Sequence, residues 1–384
     1  MAGRASDPVV PIPLASCALR AQCDEAACLE KSWLQWRALR GAGVKSSAPP
    51  QKKRCWATLL TNQAYVSGVK ALLNSLSEHC ESDYRLLIMV TDGVPEGTRA
   101  ELAALADSDV LLVPWVACPH GTAAYMAPQF TECWTKLRVW ELEEYDRIVL
   151  LDADMVVVRN IDSLLDDDGG DMTCGRDDGD DGGGGFGTAA SCFVRAVHEC
   201  SCVVKRGDAG WPCAHTCGSA DHLTPQRTSE LSYFNSGLLV LKPSRLVFEH
   251  MLVALAATDL ARCPFADQDF LNGYFRNAWA ALPWVFNATK GLYASHRTAD
   301  CSGKPAVWDA QRVRNIHYTM AKPWDLKSPF HKGYEQLNEL WWAAYSEPRT
   351  LSRVLLKLRM HEKRAASTPP PPPAAHATAA LPVQ

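Results

Sequence analysis

The feature that most constrains the fold is a short apolar run that ends in two acidic residues. The run Ile148 to Leu151 is too short for a helix and has no polar face, so it predicts a strand that is buried on both sides. Asp152 and Asp154 follow it, with the small Ala153 between them. Because residues two apart in an extended chain point the same way, the two carboxylates converge at the end of the strand.

Two carboxylates this close together repel each other, and one of them tends to keep its proton. A divalent cation removes this conflict, and carboxylate oxygens suit Mn²⁺ or Mg²⁺. The alternative is a solvated turn, since an isolated Asp-x-Asp pattern is common by chance. The buried strand before the pair and the apolar run Met155 to Val158 after it favour a metal site.

Composition narrows the classes of protein that fit. A chain of 384 residues with a hydrophobic fraction of 47% is long enough for one large α/β domain or two smaller ones. The net charge of −4 gives no argument for a nucleic-acid partner, and no apolar run is long enough to span a membrane. The N-terminus lacks the clean apolar core of a signal peptide. We therefore expect a cytoplasmic protein, or one of the Golgi lumen if the N-terminus is incomplete.

The first folded segment alternates strands and helices. Strands are predicted at Trp56 to Thr61, Leu86 to Thr91 and Val110 to Val113, with helices at Val66 to His79 and Pro95 to Ala106 between them. Such a βαβαβ succession predicts a parallel sheet with right-handed crossovers, and ligands bind at the carboxyl ends of its strands.

Two groups of polar residues then face one crevice. Thr61, Asn62 and Tyr65 follow the first strand, and the two aspartates follow the fourth. The chain has neither a Gly-x-Gly-x-x-Gly motif after the first strand nor a Gly-Lys-Ser/Thr loop. By motif it is therefore neither a dinucleotide-dependent oxidoreductase nor a P-loop nucleotidase.

Four later residues or groups are candidates for ligand binding, each with a structural alternative. Lys136, on a predicted helix over 130–142, either reaches toward a phosphate or extends from an apolar face to water. Asn235-Ser236-Gly237 precedes the strand Leu238 to Leu241 and suits a hydroxylated ligand, or it is a plain turn. Asp267 lies in the acidic first turn of a predicted helix, and capping that helix is its structural alternative. His317 ends a strand and could bind the same metal as the aspartates.

The sequence also predicts how the chain is divided. Residues 1–52 are predicted to be a leader and linker, 53–346 a single folded domain, and 347–384 a helix end followed by a disordered Pro/Ala-rich tail. Residues 166–228 are predicted to be a low-complexity, cysteine-rich insertion. The cysteine and histidine side chains of this insertion suit either a zinc site or local disulfides and free thiols. They are Cys192, Cys200, Cys202, Cys213, His215 and Cys217.

Six motifs, in order along residues 55 to 330, resemble glycosyltransferase family 8, the family of glycogenin, galactinol synthase and plant xylan glucuronosyltransferases. Their order and number make the resemblance specific. The motifs are Leu59-Leu60-Thr61-Asn62-Gln63-Ala64-Tyr65, Thr135-Lys136-Leu137, Leu151-Asp152-Ala153-Asp154, Phe234-Asn235-Ser236-Gly237, Asp267-Gln268-Asp269-Phe270-Leu271-Asn272 and His317 to Trp324.

The resemblance implies a GT-A fold, Rossmann-like, in a single α/β domain with a mainly parallel central sheet. It also implies a retaining hexosyl transfer, with glucose expected, from a UDP-sugar to a carbohydrate, polyol or protein acceptor. Mn²⁺ is the implied ion, with Mg²⁺ as the alternative, and relatives are often homodimers. The resemblance implies that the uridine is bound by Leu59, Thr61, Asn62 and Tyr65, and the metal by Asp152, Asp154 and His317. It implies phosphate binding by Lys136 and Lys322. The implied sugar contacts are Asn235, Ser236, Asp267 and Gln268, and the last two are the candidate catalytic residues.

The chain also departs from the family pattern. Phe265-Ala266 stands where relatives often have two glycines, and Met320 stands where they often have one. Tyr293 is a weak candidate for self-glycosylation, since tyrosine there is more often ordinary packing. Asn287-Ala288-Thr289 is an N-glycosylation sequon, which has meaning only in the secretory pathway.

Three further functions stay open. The first is a catalytically weak, nucleotide-sugar-binding scaffold, which the presence of all three candidate metal ligands disfavours. The second is a glucuronosyl or galactosyl transferase of the secretory pathway. The third is a nucleotide-sugar hydrolase or pyrophosphorylase, which is disfavoured because no glycine-rich nucleotidyl-transfer loop follows the first strand.

Overall fold

A computed structural model describes the part of the chain that forms the folded body. The described residues are 53–117, 128–166, 194–199, 233–276, 278–297, 307–346 and 348–367, and they belong to one compact unit. The leader, most of the insertion with its cysteine and histidine cluster, and the tail after residue 367 lie outside these ranges. The zinc and disulfide alternatives therefore stay predictions.

In the part of the chain that the structure describes, ten strands form two sheets. The larger has the order β3-β2-β1-β4-β7-β6-β8 and the smaller the order β5-β10-β9. In the larger sheet β7 runs antiparallel to both neighbours, and the other four pairings are parallel. The α/β prediction with a mainly parallel sheet is confirmed. The strands are β1 Arg54–Leu60, β2 Leu86–Val90, β3 Ser108–Leu112, β4 Arg147–Leu151, β5 Met155–Val157, β6 Val194–His198, β7 Phe234–Leu241, β8 Trp279–Leu282, β9 Ala288–Thr289 and β10 Asn315–His317.

Helices connect these strands, and the longer ones cover the sheets. A 3₁₀ helix at Pro128–Glu141 replaces the predicted helix over 130–142, and short 3₁₀ turns lie at Gln63–Tyr65, Leu260–Arg262, Trp284–Phe286 and Pro329–His331. In the described residues, no helix combines the length and the apolar character needed to cross a bilayer. The α-helices are α1 Val66–His79, α2 Glu96–Ala103, α3 Ser163–Asp166, α4 Arg245–Ala257, α5 Asp267–Tyr274, α6 Lys290–His296, α7 Glu335–Ser346 and α8 Pro348–Ser367.

Helix α1 packs directly behind the turn that carries the two aspartates. Its apolar face, which includes Val69, Leu72 and Leu76, is buried against the core, as its 3.6-residue periodicity predicts. Gly68 lies where α1 meets the turn, and a Cβ there would overlap the carbonyl oxygen of Ala153. The glycine therefore allows the close approach that holds the turn in place.

The two sheets meet at this same turn. The Asp152 amide donates to the Gly237 carbonyl of β7 at 2.8 Å, and the Tyr318 amide donates to the Asp154 carbonyl at 2.9 Å. Strand β10 runs antiparallel to β5, with His317 opposite Met155. The backbone thus fixes the histidine beside the aspartates although 163 residues of sequence separate it from Asp154.

Three features differ from the sequence prediction. Strand β7 begins at Phe234, so Asn235-Ser236-Gly237 lies inside a strand and the plain-turn interpretation is wrong. Strand β6 lies within the predicted insertion and pairs with β7 and β8, although the low-complexity residues around it hid so short a strand. Helix α8 continues the folded body beyond residue 346, and its apolar face is buried against α7 and α1.

Candidate active site

The centre of the site is a cluster of two carboxylates and one imidazole. His317 Nε2 lies 3.3 Å from Asp154 Oδ1 and 3.9 Å from Asp152 Oδ2. One ligand atom from each residue falls within 4.8 Å of the other two. The side chains of His317 and Asp154 are buried, and that of Asp152 is partly open to the cleft. Two oxygens and one imidazole nitrogen suit a divalent ion such as Mn²⁺.

The second ring nitrogen of His317 is already engaged. Its Nδ1 lies 3.0 Å from Asn287 Oδ1, and the Asn287 amide nitrogen donates to Asn235 Oδ1 at 2.8 Å. Since the Asn287 oxygen can only accept, His317 Nδ1 carries a proton and donates it, so Nε2, on the side of the carboxylates, is the nitrogen that a metal ion would meet. This is the support that metal-binding histidines commonly have.

Gly237 completes this support by having no side chain. A Cβ at this position would overlap the His317 ring and come within 2.9 Å of Asn235 Oδ1. The Gly237 amide also donates to Asn235 Oδ1 at 2.9 Å. The residues present therefore fit a metal ion: the donor set is suitable, the histidine tautomer is fixed, and the ring has room.

Two lysines neutralise the two aspartates. Lys322 forms an ion pair with Asp154, and Lys136 Nζ lies 2.9 Å from both Asp152 Oδ1 and Asp267 Oδ2. Burial alone would raise the pKa of Asp154, but Lys322 and His317 hold it far below its usual range. Burial alone would lower the pKa of Lys136, but Asp152 and Asp267 raise it well above its ordinary value.

Lys136 is therefore not a surface lysine. Only 4% of it is exposed, so the interpretation that it extends from an apolar face to water is wrong. Its ammonium bridges Asp152 at the metal cluster to Asp267 on α5. Its predicted role in phosphate binding stays a prediction.

The region around Asp267 and Gln268 is held by a network of hydrogen bonds to both charged and uncharged neighbours. Ser236 Oγ donates to Asp267 Oδ2 at 2.9 Å, and the Ser236 amide donates to Gln268 Oε1 at 3.1 Å. Gln268 Nε2 lies 3.3 Å from Glu199 Oε2 and 3.2 Å from the Tyr233 hydroxyl. Burial raises the pKa of Asp267 although Lys136 opposes the shift. The residue before Asp267 has no capping side chain, and the Asp267 carboxylate faces Ser236 and Lys136, so it has more than a capping role.

The remaining predicted residues lie at the end of strand β1 and just after it. Leu59, Thr61 and Tyr65 line the cleft, and the Tyr65 ring packs edge-on against Trp324 at 5.6 Å. Asn62 is not among the residues that line the cleft. Its side chain accepts a hydrogen bond from the Ala64 amide at 2.9 Å and caps the 3₁₀ turn Gln63–Tyr65.

A single cleft of about 930 Å³ joins these groups, which is large enough for a nucleotide-sugar. Of the residues predicted to bind the ligand or the metal, all but Asn62 line this cleft. They are Leu59, Thr61, Tyr65, Lys136, Asp152, Ala153, Asp154, Asn235, Ser236, Asp267, Gln268, His317 and Lys322.

Sequence reasoning missed several residues of this cleft. Glu132 accepts hydrogen bonds from Thr61 and Asn62, and Glu199 accepts from Asn235 at 2.5 Å and from Gln268. Asn287 was noticed only as a sequon, yet it is 3% exposed and its amide is bonded within the site. No short motif marks any of them, because their partners lie 30 to 70 or more residues away in sequence.

Two other sequence hypotheses have structural answers. Tyr293 is 3% exposed, packs edge-on against Trp308 at 5.0 Å, and its hydroxyl donates to Gln336 at 3.1 Å, so it is a packing residue. Ala266 and Met320, which replace glycines of the family pattern, have φ values of 47° and 63°. Both therefore hold a left-handed backbone conformation that glycine adopts more readily.

Comparison with known proteins was made by sequence and by structure. The sequence model of the family described as glycosyl transferase family 8 matches residues 57–327. Galactinol synthase 1 of Solanum lycopersicum is 27% identical over 314 residues, which cover 80% of this chain and 86% of that protein. Galactinol synthase 1 of Ajuga reptans is 29% identical over 323 residues, which cover 81% and 86%.

Two solved structures were compared with the chain by their folds. The structure of GlyE from Streptococcus pneumoniae TIGR4 has a TM-score of 0.49 and 16% identity, covering 79% of this chain and 63% of that one. The galactosyltransferase LgtC, solved with donor and acceptor sugar analogs, has a TM-score of 0.44 and 19% identity, covering 74% and 94%.

Proposed function

The chain belongs to glycosyltransferase family 8, and from this premise we propose that it is a retaining hexosyltransferase with a UDP-sugar donor and a hydroxyl acceptor. That it is a glycosyltransferase follows from the family match, which agrees with the predicted GT-A fold. The observation that carries the finer proposal is the meeting of Asp152, Asp154 and His317 with Lys322 in one cleft. A diphosphate and its metal ion need such a set of groups.

Asp152, Asp154 and His317 would hold Mn²⁺, or Mg²⁺, and Asn287 would keep His317 in the required tautomer. When bound, such an ion would offset the negative charge that develops on the diphosphate as the sugar leaves. Lys322 lines the cleft beside Asp154, so its ammonium can bind a phosphate oxygen. Because these groups are fixed before the reaction, they stabilise the leaving group without reorganising.

The sugar would lie against Asn235, Ser236, Asp267 and Gln268. Lys136 and Ser236 already bind the Asp267 carboxylate, so we propose that Asp267 orients the sugar. Gln268 is partly exposed in the cleft and is held from both sides by Ser236 and Glu199. We therefore place the Gln268 amide nearest to the anomeric carbon, where it can steady the charge that develops on the sugar.

The donor and acceptor are chosen from the relatives. Glucose is the sugar that the sequence analysis expects, but the curated relatives are galactinol synthases, a name that combines a galactosyl group with a polyol. UDP-galactose with a polyol acceptor is therefore the first pair to test, and UDP-glucose the second. A cytoplasmic location and a homodimer stay predictions.

The test is the release of UDP from a panel of UDP-sugars with Mn²⁺, with and without polyols. We expect one sugar to be preferred and no release by the double variant Asp152→Ala, Asp154→Ala. Tight, Mn²⁺-dependent UDP binding without any turnover would favour the scaffold alternative. Release of UMP in place of UDP would favour a pyrophosphorylase. A protein that neither binds nor releases UDP would contradict the proposal.

A further inference from the structure

Lys290 is a charged residue of the cleft that has no part in the predictions made so far. Lys290 is the first residue of α6, follows strand β9, lines the cleft and is only 3% exposed. Its ammonium donates a hydrogen bond to the carbonyl of Ala321, the residue before Lys322. It also lies 4.8 Å from the centre of the Tyr334 ring.

The surroundings of Lys290 do not balance its charge. Within the described part of the chain, Lys136 and Lys322 each have a carboxylate partner, and no ion pair of that part includes Lys290. One carbonyl and one aromatic face use only part of an ammonium group that has three donors. A buried cation without an anionic partner is costly, so such lysines commonly serve a ligand.

The charges in the cleft show which ligand would balance it. Lys136 lies between Asp152 and Asp267, and Lys322 faces Asp154. If a divalent ion is held by the two aspartates, both Lys322 and Lys290 are left without a counter-charge. A UDP-sugar brings a negative charge on each of its two phosphates, and the departing UDP gains more, since a terminal phosphate carries about −1.5 to −2 at pH 7.

We propose that Lys290 is a further binding residue for the departing nucleoside diphosphate, supplying a second positive charge beside Lys322. This inference rests on the proposed UDP-sugar transferase function. Burial, with Lys322 nearby, lowers the pKa of Lys290 to about 8, so the amine is mostly charged at pH 7. An arriving phosphate favours that charged form and relieves the repulsion between the two lysines.

Lys290 could instead do no more than hold the loop at Ala321. Two variants separate these roles. Lys290→Gln keeps a hydrogen-bond donor but has no charge, whereas Lys290→Arg keeps both. Lys327→Gln is the matched control, since it removes the same charge from an exposed lysine that does not line the cleft.

The experiment measures the Kd of UDP and of UDP-galactose by calorimetry with saturating Mn²⁺, together with kcat and KM for UDP release. For Lys290→Gln we expect the Kd of UDP to rise by about tenfold, and that of UDP-galactose by less, because UDP carries more charge. Lys290→Arg should stay within about threefold of the wild type, and Lys327→Gln within about twofold. Thermal unfolding of each variant shows whether it is folded.

Each other outcome has a defined meaning. If the wild type binds UDP and Lys290→Gln binds it equally well, the inference about Lys290 is wrong and the proposed function stands. Equal losses for Lys290→Gln and Lys290→Arg would also overturn it, since they would indicate a packing role. A wild type that binds no UDP would contradict the proposed function itself, and the inference with it.

Discussion

The two ends of the cleft are built by different physical means. At the metal end, paired strands hold Asp152, Asp154 and His317 together, and two lysines neutralise the two aspartates. At the sugar end, Ser236 and Gln268 are fixed by hydrogen bonds to neighbours that include both carboxylates and uncharged groups. Ion pairs are strong and poorly selective, whereas a network of directional hydrogen bonds distinguishes one hydroxyl pattern from another. We therefore expect charge stabilisation at the first end and sugar selection at the second.

Two connections keep the ends in register. The ammonium of Lys136 bridges Asp152 to Asp267, and Asn287 joins His317 to Asn235. The network extends from Asn235 to Glu199, and from there to Gln268. A change at one end should therefore be felt at the other only when it breaks one of these connections.

The largest effect is expected for Asp154→Asn at the metal end. Transferase activity should fall by about 10³-fold, because the site loses a metal ligand and the charge that balances Lys322. Stability should fall by about 3 kcal/mol, since the buried ion pair loses one partner. Activity assays and urea unfolding measure the two effects. Full activity in this variant would remove the distinction between the two ends.

Gln268→Ala tests the sugar end. We expect kcat to fall by about 10²-fold because the amide nearest to the reacting carbon is lost. The Kd of UDP should change by less than about twofold, since UDP lacks the transferred hexose that this residue is proposed to contact. Steady-state kinetics and calorimetry give the two numbers. A large loss of UDP binding would show that the two ends are not separate.

Asn287→Ala tests the connection between the ends. The affinity for Mn²⁺ should fall by about 10-fold to 100-fold because His317 loses the partner that fixes its tautomer. Asn74→Ala is the control, since it removes a partly buried hydrogen bond from an amide side chain to the Ala344 carbonyl outside the cleft. Titration with Mn²⁺ measures the affinity directly. Equal affinities in both variants would assign Asn287 a packing role only.

Lys290→Met tests the electrostatic cost at the metal end. The pKa of Lys290 is about 8 in the fold against 10.5 ordinarily, through burial and then Lys322, with Asp154 opposing. Between these values the unfolded chain binds more protons, so the wild type gains stability as pH rises. The variant lacks this gain. Between pH 8 and pH 10, the free energy of unfolding should rise by about 2 kcal/mol more for the wild type than for Lys290→Met. Parallel pH curves would contradict the lowered pKa.

Ala266→Gly, before the sugar-end residue Asp267, should have the smallest effect. Ala266 has φ 47° and ψ −117°, which strains any residue with a Cβ. Glycine removes this strain but loses more entropy on folding, and the net gain should be about 1 kcal/mol. Ala104→Gly is the control, because its φ of −84° is ordinary and glycine should destabilise it. Urea unfolding of both variants compares them.

Much of the fold could be predicted from the sequence because its signals are local. Helix α1 was predicted with its observed bounds, since a buried face repeats along it. The strand before Asp152 and the strand that ends in His317 were predicted within one or two residues. The two aspartates are two residues apart, so the strand geometry alone makes their carboxylates converge.

The sequence by itself therefore determined the alternating fold, the converging pair of aspartates and the family. Only the tertiary structure decided that β6 joins the main sheet, that Lys136 bridges Asp152 and Asp267, and that Asn287 orients His317. The reason is physical. A strand or a helix records its periodicity within about ten residues, whereas a hydrogen bond between Asn287 and Asn235 joins side chains that only the completed sheets bring together.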